Sequence, residues 1–211
     1  MTTPGRQFNA AVTRFWSIAA PVYDLPVLQR WVYRPGQDEV VAKLRAAGSR
    51  RIADIACGTG ILTARMRNEL RPDEIYGVDM SDGMLEQAKA RSTQVRWMKG
   101  PAEQLPFEDA SLDAVVTTSA FHFFDQPAAM REFHRVLAPG GLAAVATITP
   151  PLPPALDRFV PKEAGVLHSP RPAELRKLFT DAGFVVTDQR RVDRPVWTRM
   201  VGDLITVGTK V

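Results

Sequence analysis

Cysteine is almost missing: Cys57 is the only one among 211 residues. A lone thiol excludes an internal disulfide and a cysteine-built zinc cluster, and it fits a reducing compartment. No apolar run approaches the ~20 residues that a membrane-spanning helix needs. The opening residues, Met1-Thr2-Thr3-Pro4-Gly5-Arg6, lack the charged-then-apolar order of a secretory signal. A cytoplasmic protein with no integral membrane segment, and no bound metal, is expected. Lysine is scarce, with 6 against 21 arginines, a bias that codon usage explains as well as function does. Internal repeats and low-complexity tracts are also lacking.

What is present reads as an ordinary globular chain, 45% apolar and 24% charged. Its length suits one well-buried domain spanning 1–211. The formal charge of +4 sits in the first 50 residues, where Arg6, Arg14, Arg30, Arg34, Lys43, Arg45 and Arg50 face only Asp24, Asp38 and Glu39. Such a segment can be a solvated helix face, or it can touch an anionic surface, so peripheral membrane contact stays open.

The richest stretch is Arg51-Ile-Ala-Asp54-Ile-Ala56-Cys57-Gly58-Thr59-Gly60-Ile61-Leu62. An apolar run holding one acid breaks into a turn of small residues, and Leu62, Met66 and Leu70 follow at helical spacing. That order predicts strand, tight loop and helix, with Gly58 and Gly60 letting a ligand approach the main chain near the free N–H groups of the helix start. Upstream, Phe8, Val12, Phe15 and Ala19 form a helical stripe that Pro21 stops, a second apolar stretch breaks at Pro35-Gly36, and Asp38 to Ala47 reads as a helix ending at Gly48. Residues 1–50 are thus helical and 51–211 form the core.

Downstream, strands and helices alternate. Strands are expected at Ile75–Asp79, Val95–Met98, Leu112–Thr117, Leu142–Ile148, Phe184–Thr187 and Leu204–Val207. Ser81 and Asp125 are placed to cap helices, Pro139-Gly140-Gly141 to end one, and the seven prolines of 149–172 to form a loop. Alternation of this kind gives a mostly parallel sheet with right-handed crossovers, its last strand antiparallel. Ligands bind such sheets at the carboxyl ends of the strands, where Asp54, Asp79, Pro101-Ala102 and Ser119 fall.

Asp79 ends the second strand, where a carboxylate accepts both hydrogens of a ribose diol. NAD and S-adenosylmethionine both carry that diol. A dinucleotide site wants a third glycine where Thr63 stands, and an acid at Asp54 suits an ammonium group better than a pyrophosphate.

The run Asp54-Ile-Ala-Cys-Gly-Thr-Gly60 with Gly77-Val-Asp79-Met80-Ser81 resembles the first two motifs of class I S-adenosylmethionine-dependent methyltransferases. Gly100-Pro-Ala-Glu-Gln-Leu-Pro-Phe107, Leu112-Asp-Ala-Val-Val116, Phe133-His-Arg-Val-Leu-Ala-Pro-Gly-Gly141 and Ala20-Pro-Val-Tyr-Asp24 are similar to landmarks of the branch holding the ubiquinone and menaquinone C-methyltransferases. The resemblance implies a Rossmann-like α/β fold: a seven-stranded sheet of order 3-2-1-4-5-7-6, helices on both faces and an N-terminal helical lid over 1–50. It implies that Asp54, Ala56, Cys57, Gly58, Thr59 and Gly60 surround the methionine part of S-adenosyl-L-methionine. Asp79 would take the ribose and Met80 the adenine. Ala102 and Glu103 would line the adenine, and Ser119 would sit near the methionine tail. Two positions depart from the pattern: Ala56 replaces a glycine, and Pro101 stands where an acid or amide meets the adenine amino group.

Methyl transfer is an in-line displacement in a dry pocket. Phe121-His122-Phe123-Phe124 follows the fourth strand, where the methyl should emerge; His122 is either a general base or a packing residue. Phe15, Trp16, Tyr23 and Phe124 could close over a small acceptor, and an aromatic pocket suits a flat phenol or quinone, though a thiol or amine would also fit. Thr117-Thr-Ser-Ala-Phe121 replaces the Asn/Asp-Pro-Pro-aromatic segment with which the base-methylating enzymes clamp a nucleotide, so nucleic acid is not expected as a partner. A binding protein that keeps the cofactor but not turnover is the alternative, and an NAD oxidoreductase a remoter one.

Overall fold

The computed structural model describes residues 24–148, 169–194, 198 and 202–211. The stripe at 8–19, Phe15, Trp16, Tyr23 and most of the proline-rich stretch, with Phe159 and His168, lie outside the described residues. One seven-stranded sheet organises the rest: β1 (Arg51–Ile55), β2 (Glu74–Asp79), β3 (Arg96–Lys99), β4 (Leu112–Thr118), β5 (Leu137–Ile148), β6 (Phe184–Arg191) and β7 (Asp203–Lys210). Their order is β3-β2-β1-β4-β5-β7-β6, as the resemblance implied. β7 runs antiparallel to both β5 and β6, and the other pairs are parallel. No helix among the described residues is long and apolar enough to cross a membrane.

Two apolar layers hold the sheet. On one face α1 (Arg34–Ala47) sets Val40, Val41 and Leu44, and α2 (Ile61–Leu70) sets Leu62 and Met66, against Ile52, Ala114, Val116 and Ile205. α3 (Asp82–Arg91) packs beside them over β2 and β3. On the other face α4 (Gln126–Val136) and α5 (Pro172–Asp181) bury Met130, Phe133, Leu175 and Phe179 against Val115, Val145 and Phe184. The central strands are buried on both sides, which is why they read as nearly unbroken apolar runs. Ser81 and Asp125 cap α3 and α4, accepting from the Met84 and Ala128 N–H groups at 3.2 Å each.

One expected break does not occur. Pro35-Gly36 leaves the chain helical, because the turn before it widens into a π-helical segment, Gln29–Tyr33, and Pro35 falls in the first turn of α1, where its missing N–H is not needed. α4 does end before Pro139-Gly140-Gly141, at Val136, but the next strand begins earlier than Leu142: β5 starts at Leu137 opposite Leu112 and rejoins the ladder at Leu142 opposite Ala114, so the proline and glycines form a bulge, with Gly140 at φ 79°.

Behind the small-residue turn stands the indole of Trp97, from β3, with its N–H on the Ser92 carbonyl at 2.9 Å. A Cβ on Gly60 or Gly77 would overlap that ring. Gly77→Ala should therefore cost ~1–3 kcal/mol by overpacking. Trp97→Leu in the same background should recover part of the loss in chemical denaturation; a variant as stable as the parent would remove the indole as the reason for glycine there.

Candidate functional site

Parallel pairing of β1 with both β2 and β4 brings their carboxyl ends side by side. The loop after β1 begins with Ala56 at φ 56° and the loop after β4 with Ser119 at φ 57°, so two non-glycine residues hold left-handed backbone at this edge. Such a conformation costs ~1–2 kcal/mol and collects where a site requires it. At Ala56 it gives the physical reason for the glycine of the family pattern.

The turn is locked to the second strand. The Gly58 N–H donates to Asp79 Oδ2 and the Ser81 N–H to Asp79 Oδ1, each at 2.8 Å. The Cys57 N–H donates to the Val78 carbonyl at 3.1 Å. Desolvation pushes the Asp79 carboxyl up, against the pull of the Ser81, Gly58 and Met80 N–H groups. One strand deeper, Asp54 is buried and accepts the Thr63 hydroxyl at 2.6 Å. Burial raises it to about 7, opposed by the Thr63 hydrogen bond and reinforced by the nearby charge of Asp79. Asp54 and Asp79 thus stand on adjacent strands, near enough for the charge of Asp79 to act on Asp54, and a positive charge nearby would ease the ionisation of Asp54.

The open cleft beside Asp79 holds about 870 Å³ of empty space, the open solvent at its mouth included. It gathers Ala56, Gly58, Asp79, Met80, Pro101, Ala102, Glu103, Ser119 and Phe124 as expected, and adds Ile55, Ser81, Met84, Gly100, Thr118, Ala120 and Phe123; Asp54, expected at the same crevice, is buried and does not line it. Met84 was readable as a helix-stripe residue but not as a wall of the cleft. Glu103 also braces the site, accepting the Asp125 N–H at 2.8 Å.

Other expected residues stand behind the lining. Gly60 is the left-handed cap of α2, pressed on Trp97. Cys57 is buried against Gly77, and burial pushes its thiol well up, so it packs as a neutral group. Thr59 is buried, its hydroxyl donating to Asp24 Oδ1 at 2.5 Å and its carbonyl accepting from Arg91 at 2.9 Å. Its polar groups are thereby turned to the protein, away from the ligand role the resemblance implied. His122 does not line the cleft. Its ring lies 4.0 Å from that of Phe123, which does, and its Nδ1 is buried with no hydrogen-bond partner. Burial lowers the imidazole to about 4, so it is neutral near pH 7.

The order of the sheet, with an acid at the end of β2 held to a glycine turn after β1, is that of the Rossmann-like methyltransferase fold. Residues 53–145 match the family described as methyltransferase domain. It is 34% identical over 148 residues to the demethylmenaquinone methyltransferase of Deinococcus radiodurans, covering 67% of this chain and 61% of the relative. It is 34% identical over 154 residues to the 2-phytyl-1,4-naphtoquinone methyltransferase of Nostoc punctiforme, covering 66% and 65%. The matched stretches thus span about three fifths of these relatives' lengths. Among solved structures, magnesium protoporphyrin IX methyltransferase from Synechocystis, with bound SAH, superposes with a TM-score of 0.67 at 20% identity, covering 90% of this chain and 92% of that one.

The raised carboxyl gives a signed prediction. Asp54 holds its proton more tightly folded than unfolded, so its contribution is present in acid and is lost as pH rises from about 4 to 7. Relative to Asp54→Asn, which keeps the shape without the charge, the ligand-free protein should lose on the order of 2–4 kcal/mol across that window. Parallel stability-against-pH curves for the two proteins would contradict the assignment.

Proposed function

We propose that the protein is an S-adenosylmethionine-dependent methyltransferase acting on a small aromatic acceptor of the quinone or phenol kind. The hydrogen bond from Gly58 to Asp79 carries the reading, because it sets a diol-binding carboxylate beside a turn that also faces Asp54. The residues present fit the cofactor: two under-solvated acids for its positive charge, and Met80, Met84 and Ala102 as apolar walls for a nucleobase. When bound, the cofactor supplies an electrophilic methyl group that an acceptor takes in line with the breaking carbon–sulfur bond.

The chain's own residues bind, position and exclude water. Asp79 accepts the ribose hydroxyls, and Asp54 holds the ammonium end through the turn. Ser119 lies on the methionine side. Pro101 offers no N–H and no carboxylate, which leaves Glu103 as the polar group at the adenine edge. Ala120, Phe123 and Phe124 form an apolar wall beyond the methyl, suited to a flat acceptor. Phe15, Trp16 and Tyr23 remain candidates for the lid side. His122 takes the acceptor's hydroxyl proton, its unpartnered Nδ1 reaching the acceptor by a rotation about the side chain. The quinone class is supported by the Deinococcus and Nostoc relatives, whose names carry that chemistry.

Calorimetry with S-adenosylmethionine, S-adenosylhomocysteine and NAD should show binding of the first two only, and Asp79→Ala should weaken it ~100-fold, as expected for two charge-assisted hydrogen bonds. Labelled-methyl transfer to a panel of phenols, quinols, thiols and amines decides turnover, and binding without transfer to any of them would favour a regulatory protein. His122→Ala should slow a hydroxyl acceptor far more than a thiol. Because the free imidazole titrates near 4, the wild-type rate should show no loss from His122 protonation down to about pH 5. Equal slowing of both acceptors would remove His122 as the base.

A further inference from the structure

Asp24 and Arg91 are far apart in sequence, yet they close on the same backbone unit. Asp24 Oδ1 accepts the Thr59 hydroxyl at 2.5 Å, while Oδ2 accepts the Arg91 guanidinium, whose Nε donates to the Thr59 carbonyl at 2.9 Å. Thr59 is the middle residue of the small-residue turn, and this triangle takes up its side-chain and main-chain polar groups together.

A second fastening holds the same stretch eight residues on. Arg194 donates to the Trp31 carbonyl at 2.8 Å and the Val32 carbonyl at 2.6 Å, within the π-helical segment, and pairs with Asp203. Asp203 opens β7 and lies in register with Ile148, the last residue of β5. The stretch from Asp24 to Val32 therefore runs from the small-residue turn after β1 to the start of β7, next to the carboxyl end of β5.

The two fastenings differ in exposure. The Arg194 and Asp203 side chains are 2% and 6% exposed, whereas those of Arg91 and Asp24 are 34% and 24% exposed. An ion pair with that much solvent access is weakened by salt and opens more readily than a buried one. One end of the stretch is fixed and the other can release.

We propose that Asp24 is a positioning residue, a latch that fastens the 24–32 stretch to the cofactor turn through Thr59 and Arg91 and so sets how fast the cofactor product leaves. The proposal rests on the methyltransferase reading above. The hinge is the Arg194 fastening, and the latch acts on the turn that carries the Gly58 donor to Asp79. Opening it loosens that turn, and with it the Gly58 donor to Asp79.

The test is the dissociation rate of S-adenosylhomocysteine, followed by stopped flow. Asp24→Asn and Arg91→Met should each raise it about tenfold, and the double variant should do no more than either alone, because one latch is lost in every case. Salt at ~0.5 M should speed the wild type toward the variants and leave the variants nearly unchanged. Amide exchange of the ligand-free protein gives a second readout: Asp24→Asn should speed exchange at 59–60 and leave Trp31 and Val32 protected. Unchanged dissociation in either single variant, additive effects in the double variant, or unchanged exchange at the turn would overturn the latch alone. A wild type that binds no S-adenosylhomocysteine would overturn the enzyme reading and the latch with it.

Discussion

Two carboxyls on adjacent strands, Asp79 at the cleft and Asp54 buried away from its lining, are the constraint around which the rest of the site is arranged. Asp54 sits inside β1 and Asp79 at the end of β2, one strand apart in the sheet. Each is pushed up by the loss of water, and the charge of Asp79 adds to the difficulty that Asp54 has in ionising. The protein relieves this only in part, with the Thr63 hydroxyl on one and the Gly58 and Ser81 N–H groups on the other. What remains is two acids short of solvation beside a cleft with apolar walls, a need that the proposed adenosyl sulfonium, with its ammonium group, would answer.

The supports of the site lie away from the ligand side. Trp97 presses on Gly60 and Gly77 from behind, so those glycines serve the packing of the turn as much as any ligand. Ala56 and Ser119 hold strained backbone at the mouths of β1 and β4. Arg135 on α4 gathers Asp109, Glu132 and the carbonyls of Leu105 and Phe107, fixing the loop that continues from Ala102 and Glu103. The strands supply position, and these side chains keep the loops from drifting off it.

Much of this was legible in the sequence because it rests on local pattern. The apolar runs, the caps at Ser81 and Asp125 and the order of strand, turn and helix all come from neighbours in the chain. The positions that the pattern misplaced depend on partners far away. Pro35-Gly36 reads as a break until the π-helical turn before it is seen. Thr59 reads as a ligand until Asp24, 35 residues upstream, takes its hydroxyl. Arg194 carries no local signal at all, since its role is set by Asp203 and by carbonyls more than 160 residues away. His122 was found for its place after β4, but its inward-turned ring follows from packing on Phe123.

The most direct measurement is the number of protons exchanged when S-adenosylmethionine binds, obtained by calorimetry in buffers of different ionisation enthalpy. At pH 6.5 the free protein holds most of a proton on Asp54, and a cation seated in the cleft should drive it off, releasing ~0.7 proton per site. Asp54→Asn should release almost none. Binding heats that do not change with buffer in the wild type would contradict the claim that an under-solvated pair of acids awaits a positive ligand.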